Sequence, residues 1–538
     1  MAQADEIFKE FKEHSVAEFF KKNRQMLGYS GSIRSMTTIV HEYVTNSLDA
    51  CEEAGILPEI KITITQLGKD HYRITNEDNG PGIPQKHIGK VFAKMLAGTK
   101  FHRFIQQRGQ QGIGCTGCTM FSQITSGKPT HVKTSKGKGI VYEADIMINV
   151  KRNQANISNE KEYREDYKGT KITADFKGIA FTRGENGPGE YLRRTAVANP
   201  HAKIIFIDPD NQRFVYERAV SALPARPTPG KPHPRGIDVD DLISYAHGSQ
   251  QRTIRTFLVQ TFDRMSNSKA KELEKKSELD FQRKPSSINW MEAEQIVDAI
   301  GKTDFLAPST KELKPIGEKQ IREAVINVLE PEFYSIKTRS PEAYRGGVPF
   351  IIEVGLAYGG NSGKKISGET RTEIMRSANR TPLLFDNGSC VITKAINDVD
   401  WKRYQLKDME NAPLSIIVNM TSTYIPYTSA GKTAIANEPE VYKEIQLALM
   451  ECARDIKRYI SRKRKKNIRR TKKMTLVRYV PEIAKALENL TGKKKAETEI
   501  KLMEIINKKY GDVDLNQKET KKKTSHEEQR LKGVEKEE

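Results

Sequence analysis

The stretch His41–Ala50 reads HEYVTNSLDA, and its spacing decides the fold at this end of the chain. Glu42, Asn46 and Asp49 are four and three residues apart, so a helix carries all three side chains on one face. Beside them run Met36, Ile39, Val40, Tyr43, Val44, Ser47, Leu48 and Cys51 as an inner stripe, which predicts a helix over Ser35–Ala54 that Gly55 ends. A carboxylate one turn from an amide suits nucleotide hydrolysis: the amide oxygen can ligate Mg²⁺ while Glu42 orients and deprotonates a water. Taken alone the signal is weak, for three polar residues on a helix are more often a solvated face.

Working outward, alternation predicts strands over Glu59–Gln66, His71–Thr75 and Gly169–Phe176, an α/β sandwich layout. After the second strand comes EDNGPGIP, where Asp78, Gly80 and Gly82 permit close backbone approach and offer a carboxylate to an exocyclic amine such as adenine N6. An ordinary hairpin turn uses the same dipeptides. Next is RGQQGIGCTG, Arg108–Gly117, leading into a helix. Its backbone N–H groups can cradle phosphate. It is neither a Rossmann nor a Walker loop, for no strand immediately precedes it and no GK[ST] ends it. The polar, basic segment Gly98–Arg108 could fold over a triphosphate as a lid, with Thr99 and Lys100 at its start; a solvated loop lysine is the other reading.

A chain of 538 residues exceeds one hydrophobic core, and three to four domains are expected. The formal net charge of +21 favours a polyanionic partner, most simply nucleic acid. No apolar run reaches membrane-helix length and the charged N-terminus is unlike a signal, so a cytoplasmic location without membrane contact is expected. Five cysteines do not make a disulfide framework. Cys115 and Cys118 form a lone CxxC inside the glycine loop, without the second pair a metal site would want.

The order of the motifs is more specific than any of them. ExxxNxxD, DNGPG, GQQGIG and Gly169-Thr170 in succession resemble the Bergerat nucleotide fold of the gyrase, heat-shock chaperone, histidine kinase and MutL superfamily. The resemblance implies Glu42 as general base, Asn46 as the Mg²⁺ ligand and Asp78 with Thr170 at adenine. It implies nucleotide contacts at Asp49, Gly80, Gly82, Thr99 and Lys100, and through Gly109, Gln110, Gln111, Gly112, Ile113, Gly114 and Cys115. The lid sequence, RSANRTPLLFD (Arg376–Asp386) and SAGKTAIA (Ser429–Ala436) are similar to the B subunits of type IIB DNA topoisomerases over roughly the first 490 residues. On that likeness Lys432 is a transducer lysine that contacts the γ-phosphate and shares in catalysis. It further implies ATP and Mg²⁺ as cofactors, dimerisation on ATP through an N-terminal strap that includes Ile7, Phe8, Phe11, Phe19 and Phe20, and double-stranded DNA as substrate. The partner would be a separate topoisomerase VI-type A subunit that cuts DNA, in a heterotetramer of two A and two B chains.

The corresponding layout is a strap and ATPase domain over 1–228, a helix-two-turn-helix domain over 229–310, a transducer over 311–473, and a docking segment with a charged tail over 474–538. Leu223–Gly236, rich in proline, marks the first boundary, and a helical segment spans Asp238 to about Lys302. Strands are predicted at Val348–Gly360 and Leu414–Ser422, then a long helix from Pro439 to about Lys466. The basic run Arg462–Lys473, with Arg252, Arg255 and Arg264, is the candidate DNA contact. Met474–Leu487 is the candidate A-subunit contact, with Pro481 expected to break any helix arriving from upstream. Asp398 and Asp400 form a DxD without a partner glutamate, read as turn or surface residues. A histidine kinase lacks room here for its phosphoacceptor helix, and a chaperone or mismatch-repair ATPase would not carry the helical insert. A plain DNA-binding module would leave the ordered motifs without purpose.

Overall fold

The computed structural model describes residues 15–96, 104–109, 112–366, 368–429 and 431–510. Ile7, Phe8 and Phe11 of the expected strap, Thr99, Lys100, Gln110, Gln111 and the end of the charged tail lie outside these residues. The chain divides into two compact units, Met1–Ala453 and Arg454–Glu538.

In the first unit a short helix α1 (Val16–Lys22), capped by the Ser15 hydroxyl, precedes α2 (Ser32–Ala54). The expected inner stripe of α2 is buried from Met36 to Cys51, and Gly55 ends the helix in the left-handed conformation with its N–H on the Cys51 and Glu52 carbonyls. Each large apolar side chain on that stripe stabilises the fold by about 1.5–3 kcal/mol, so Leu48→Ala, at a site 1% exposed, would cost about 2–5 kcal/mol.

Strands β1 (Glu59–Gly68) and β2 (His71–Asp78) follow, then α3 (Gln85–Ala93) and α4 (Gly114–Ser126). Next come β3 (Thr130–Lys136), β4 (Ile140–Asn149), β5 (Gln154–Arg164), β6 (Lys168–Lys177), α5 (Pro188–Ala198), β7 (Lys203–Ile207) and β8 (Arg213–Tyr216). The eight strands form one sheet in the order β5-β4-β3-β6-β2-β1-β7-β8, antiparallel except where β1 meets β7. Its inner face packs against α2 and α4 around Ile39, Ile62, Ile74, Phe121 and Phe176.

The helical insert is α6 (Val239–His247), α7 (Ile254–Thr261), α8 (Asn267–Ser277) and α9 (Trp290–Gly301). Capping boxes at Asp238, Thr253 and Asn289 start three of these helices, and Leu242, Phe257, Phe281 and Ile296 lie in their own core.

A second sheet follows α10 (Glu318–Leu329). It holds β9 (Phe333–Thr338), β10 (Glu342–Tyr344), β11 (Val348–Tyr358), β14 (Glu373–Ala378), β15 (Thr381–Pro382) and β16 (Leu414–Ser422), while β12 (Lys364–Ile366) and β13 (Glu369–Arg371) pair apart from it. A helix α11 (Val391–Asn397) lies between β15 and β16 in the chain. β16 is buried at every residue, as expected of a strand with a neighbour on each side and both faces covered. Val197 of α5 shares a core with Ile321 of α10 and Met375 of β14, so the two sheets are packed together within this unit. Two arginines of α5 reinforce that joint: Arg193 and Arg194 both bond Glu190, and Arg193 also bonds the buried Glu373 of β14.

The helix expected to end near Lys466 is α12, Pro439–Thr491, with Pro481 inside it. Proline removes one helical hydrogen bond and crowds the preceding turn, at a cost of about 3 kcal/mol. The long run of Lys, Arg, Leu, Ala and Glu on either side, all strong helix formers, outweighs that loss, and this corrects the expected break. In the second unit α12 is accompanied by α13 (Lys495–Tyr510), a helix not foreseen in the charged tail. Among the described residues of that unit, Ile456, Val480, Ala484 and Ile506 are the buried apolar ones.

Candidate functional site

A cavity of about 390 Å³ opens between α2, α4 and the loops that follow β2 and β15. That volume suits a nucleotide-sized ligand. Its base is Asp78 at the end of β2. One carboxylate oxygen, Oδ1, accepts from the Gly80 N–H at 3.0 Å and the Thr170 N–H at 3.2 Å, while Oδ2 accepts from the Ser47 hydroxyl at 2.6 Å. Ser47 in turn accepts from Asn76 Nδ2 at 2.9 Å. Each carboxylate oxygen has two lone-pair sites, so Asp78 keeps capacity for a ligand donor. Burial pushes its carboxyl above the usual range, against the opposing pull of the Ser47, Gly80 and Thr170 hydrogen bonds. Gly169 allows this approach: at φ +121° it has no Cβ, and one added there would sit 1.8 Å from the Asp78 carbonyl oxygen.

Glu42 and Asn46 lie on the cavity-facing side of α2. The first residue of α4, Gly114, passes so close to Glu42 that a Cβ on it would lie 1.9 Å from Oε2. The glycine loop and the carboxylate therefore meet at a helix N-terminus, where a phosphate would find unpaired N–H groups. Asn46 donates from Nδ2 to the Glu42 carbonyl at 2.7 Å, which leaves its Oδ1 as the atom for a hard cation. Gly82, Thr170, Gly109, Gly112, Ile113 and Cys115 also border the cavity, whereas Gly80 stands behind Asp78. Burial pushes the Cys115 thiol up to about 12, and all five cysteines are free, so neither member of the CxxC is a reactive thiolate.

Asp49, expected at the nucleotide, is also tied to a cation of the chain. Although it borders the cavity, its Oδ1 is held at 2.7 Å by Arg108, which also bonds Glu52 at 2.7 Å and Asn199 at 2.6 Å. Although burial alone would raise it, the Arg108 guanidinium together with His201 holds the Glu52 carboxyl well below the carboxylate range. Asp49 thus fixes Arg108 beside the glycine loop.

From the second sheet region, Lys432 reaches the same cavity. Its ammonium lies 3.4 Å from the Arg108 carbonyl, immediately before the glycine loop. The loop that carries it is anchored: Thr433 bonds Asp386, and Asp386 pairs with Arg34 of α2 at 2.9 Å. Sequence reasoning missed the opposite wall, Leu383, Leu384 and Phe385. The buried Arg376 shapes it by donating to the Leu383 carbonyl at 3.0 Å and the Phe385 carbonyl at 2.8 Å. Ser47 and Arg108 were missed as well; the signal for Ser47 was its place between Asn46 and the stripe it was counted in.

Elsewhere, Arg255 is paired with Glu274 and half-buried, while Arg252 stays exposed. Arg264 donates to the Ala307 carbonyl at 2.9 Å. Asp398 accepts from Tyr442 at 2.7 Å. Among the described residues no helix is long and apolar enough to cross a membrane.

Residues 31–176 match the model of the histidine kinase-, DNA gyrase B- and HSP90-like ATPases, and residues 308–472 match that of the topoisomerase VI B subunit transducer. The B subunit of type 2 DNA topoisomerase 6 from Pyrococcus horikoshii is 46% identical over 95% of this chain and 97% of its own length. The chain belongs to the family of type 2 DNA topoisomerase 6 B subunits. The B subunits from Methanothermobacter thermautotrophicus, 47% identical over 90% of this chain and 93% of their own, and Thermococcus sibiricus, 44% over 95% and 98%, agree. As a topoisomerase 6 B subunit it is an ATP-driven component of a type II DNA topoisomerase. The cavity accordingly joins the ATPase part of this B subunit to its transducer, since Glu42 comes from the first matched region and Lys432 from the second.

Proposed function

We propose that the cavity binds Mg·ATP, that Glu42 activates the attacking water, and that Lys432 makes hydrolysis depend on the transducer. The observation that carries this reading is the 3.4 Å approach of the Lys432 ammonium to the Arg108 carbonyl, which brings a cation from the transducer to the start of the glycine loop. The fit is otherwise chemical: an ionised acceptor at Asp78 for an exocyclic amine, backbone N–H groups at the start of α4 for phosphates, and an amide oxygen at Asn46 for the cation. Bound Mg²⁺ would neutralise phosphate charge. Glu42 holds the water and takes its proton, and Lys432 stabilises charge on the transferring group. Lys432→Ala is expected to lower kcat by roughly 10- to 100-fold and to spare adenine binding. A wild-type rate in a coupled ATPase assay would refute that role.

Asp78→Asn provides a test with opposite signs. A carboxyl whose pKa is raised in the folded state contributes stability only below its unfolded pKa and loses it as pH rises through the folded value. The ionised Asp78 therefore costs stability at neutral pH, and asparagine should leave the melting temperature equal or higher. ATP affinity should nonetheless fall about 10- to 100-fold, the worth of a hydrogen bond to a charged acceptor. In the unsubstituted protein, affinity should decline as acidification protonates Asp78. Calorimetric titration with an ATP analogue and thermal melting read both signs.

We also propose that ATP binding dimerises the chain, with the strap exchanged between copies, and that two such chains assemble with two A-type cleavage subunits on double-stranded DNA. The Arg462–Lys473 run, nine basic residues in twelve, lies on α12 with Arg462–Arg469 exposed, which supports a sequence-independent phosphate contact. Affinity for duplex DNA should drop roughly 10³–10⁵-fold between about 50 and 200 mM salt if six to ten phosphates are contacted. A flat salt dependence would contradict it.

A further inference from the structure

The segment Gln106–Arg108, just before the glycine loop, takes hydrogen bonds from the transducer at each of its three residues. Gln106 closes a two-way pair with the Lys314 backbone, donating to its carbonyl at 3.0 Å and accepting from its N–H at 2.6 Å. Asn379 donates to the Gln107 carbonyl at 3.1 Å, and Lys432 to that of Arg108. The Arg380 carbonyl accepts from Asn199, which accepts in turn from Arg108, and the Arg380 guanidinium donates to the Lys314 and Pro315 carbonyls, each at 3.1 Å. Gln106, Arg108, Asn199, Asn379 and Arg380 are all buried, so these bonds are shielded from water.

Asn379 and Arg380 are the central residues of the hairpin between β14 and β15, where Ala378 pairs with Thr381. Both have positive φ, +46° and +66°. Such a turn favours Asn followed by Gly. An arginine in the second place accepts backbone strain in order to set a guanidinium and a carbonyl there.

We propose that this hairpin turn, through Asn379 on the transducer and Gln106 on the loop side, positions the phosphate-binding loop and, by way of Arg108 and Asp49, the helix that carries Glu42. Asn379 and Gln106 are positioning residues. The inference rests on the nucleotide reading of the cavity and adds to Lys432 a second, nucleotide-independent grip by which transducer orientation reaches the reacting centre.

The test uses the full chain assembled with its A-type partner. Gln106→Ala removes both bonds to Lys314, and Asn379→Asp keeps acceptance from the Ser422 N–H while losing the donations to the Gln107 and Ser422 carbonyls. Expected is a fall in kcat of roughly tenfold or more, since small misplacements of a loop are costly. ADP affinity, which reads the Asp78 end, should change by less than about threefold, and the ATP consumed per relaxation event should rise. Wild-type kcat with wild-type ATP use in Gln106→Ala would overturn the proposal. So would equal losses in kcat and ADP affinity, the mark of general damage. Should Asn379→Asp not fold, the Gln106→Ala result decides by itself. Glu42→Ala run alongside separates the two readings: if it hydrolyses normally the site assignment fails, and if it is inactive while Gln106→Ala is normal only the positioning role fails.

Discussion

Replacing Glu42 by alanine is expected to slow ATP hydrolysis by roughly 10²–10⁴-fold while nucleotide binding stays nearly intact. The expectation follows from where the carboxylate sits. Glu42 is 27% exposed at the cavity, pressed by Gly114 at the start of α4, with His41 as an ionic neighbour at 3.9 Å. Burial lowers the His41 pKa against the opposing pull of Glu42, and the nearby Lys432 adds to the lowering. The adenine contact proposed at Asp78 is made by a different residue of the cavity. Glu42→Gln should be nearly as slow as alanine, because it keeps the volume and loses the basicity. Asn46→Ala should instead weaken Mg·ATP binding itself. Single-turnover hydrolysis with a separate binding titration distinguishes the two, and turnover at the parent rate in Glu42→Ala would remove it from the mechanism.

The second large effect is expected at the far end of α12. Leu476, Tyr479, Ile483 and Leu490 are between 40% and 80% exposed and fall on one side of the helix, while Val480 and Ala484 beside them are buried. An exposed apolar stripe of this length, next to a highly charged run, suits helix-in-groove docking of the A-type subunit. Tyr479→Asp combined with Ile483→Asp should weaken assembly by about 10³-fold, two hot spots of about 2 kcal/mol each, and so abolish DNA relaxation. ATP binding and analogue-induced dimerisation should persist. Undiminished co-purification of the A-type subunit with the double variant would place the contact elsewhere.

Much of the ATPase fold could be read because its motifs are local. The α2 stripe has an unbroken helical period, and EDNGPGIP and the glycine loop announce themselves by residues that tolerate unusual backbone. The strands β3 to β5 were not legible: β5 is exposed along almost its whole length, so no burial pattern disciplines its charged sequence. Arg108 carried no signal either, for a basic residue in a polar segment looks the same whether it is solvated or clasped by Asp49, Glu52 and Asn199. The wall at Leu383–Phe385 is a tertiary property; only the buried Arg376, hydrogen-bonding back onto that loop, turns an apolar tripeptide toward the cavity. Pro481 misled because a local rule was applied where a long stretch of good helix formers prevailed.

That proline has a consequence for how α12 breathes. Having no N–H, Pro481 cannot donate to the Val477 carbonyl four residues back, so the hydrogen-bond ladder of the helix lacks one rung there. Amide protons near this point have fewer bonds to break before they meet solvent. Deuterium labelling should accordingly resolve α12 into two protected tracts that exchange separately, with a protease-sensitive waist around Val477–Pro481. By its residues α12 is one helix, but its opening motions belong to two.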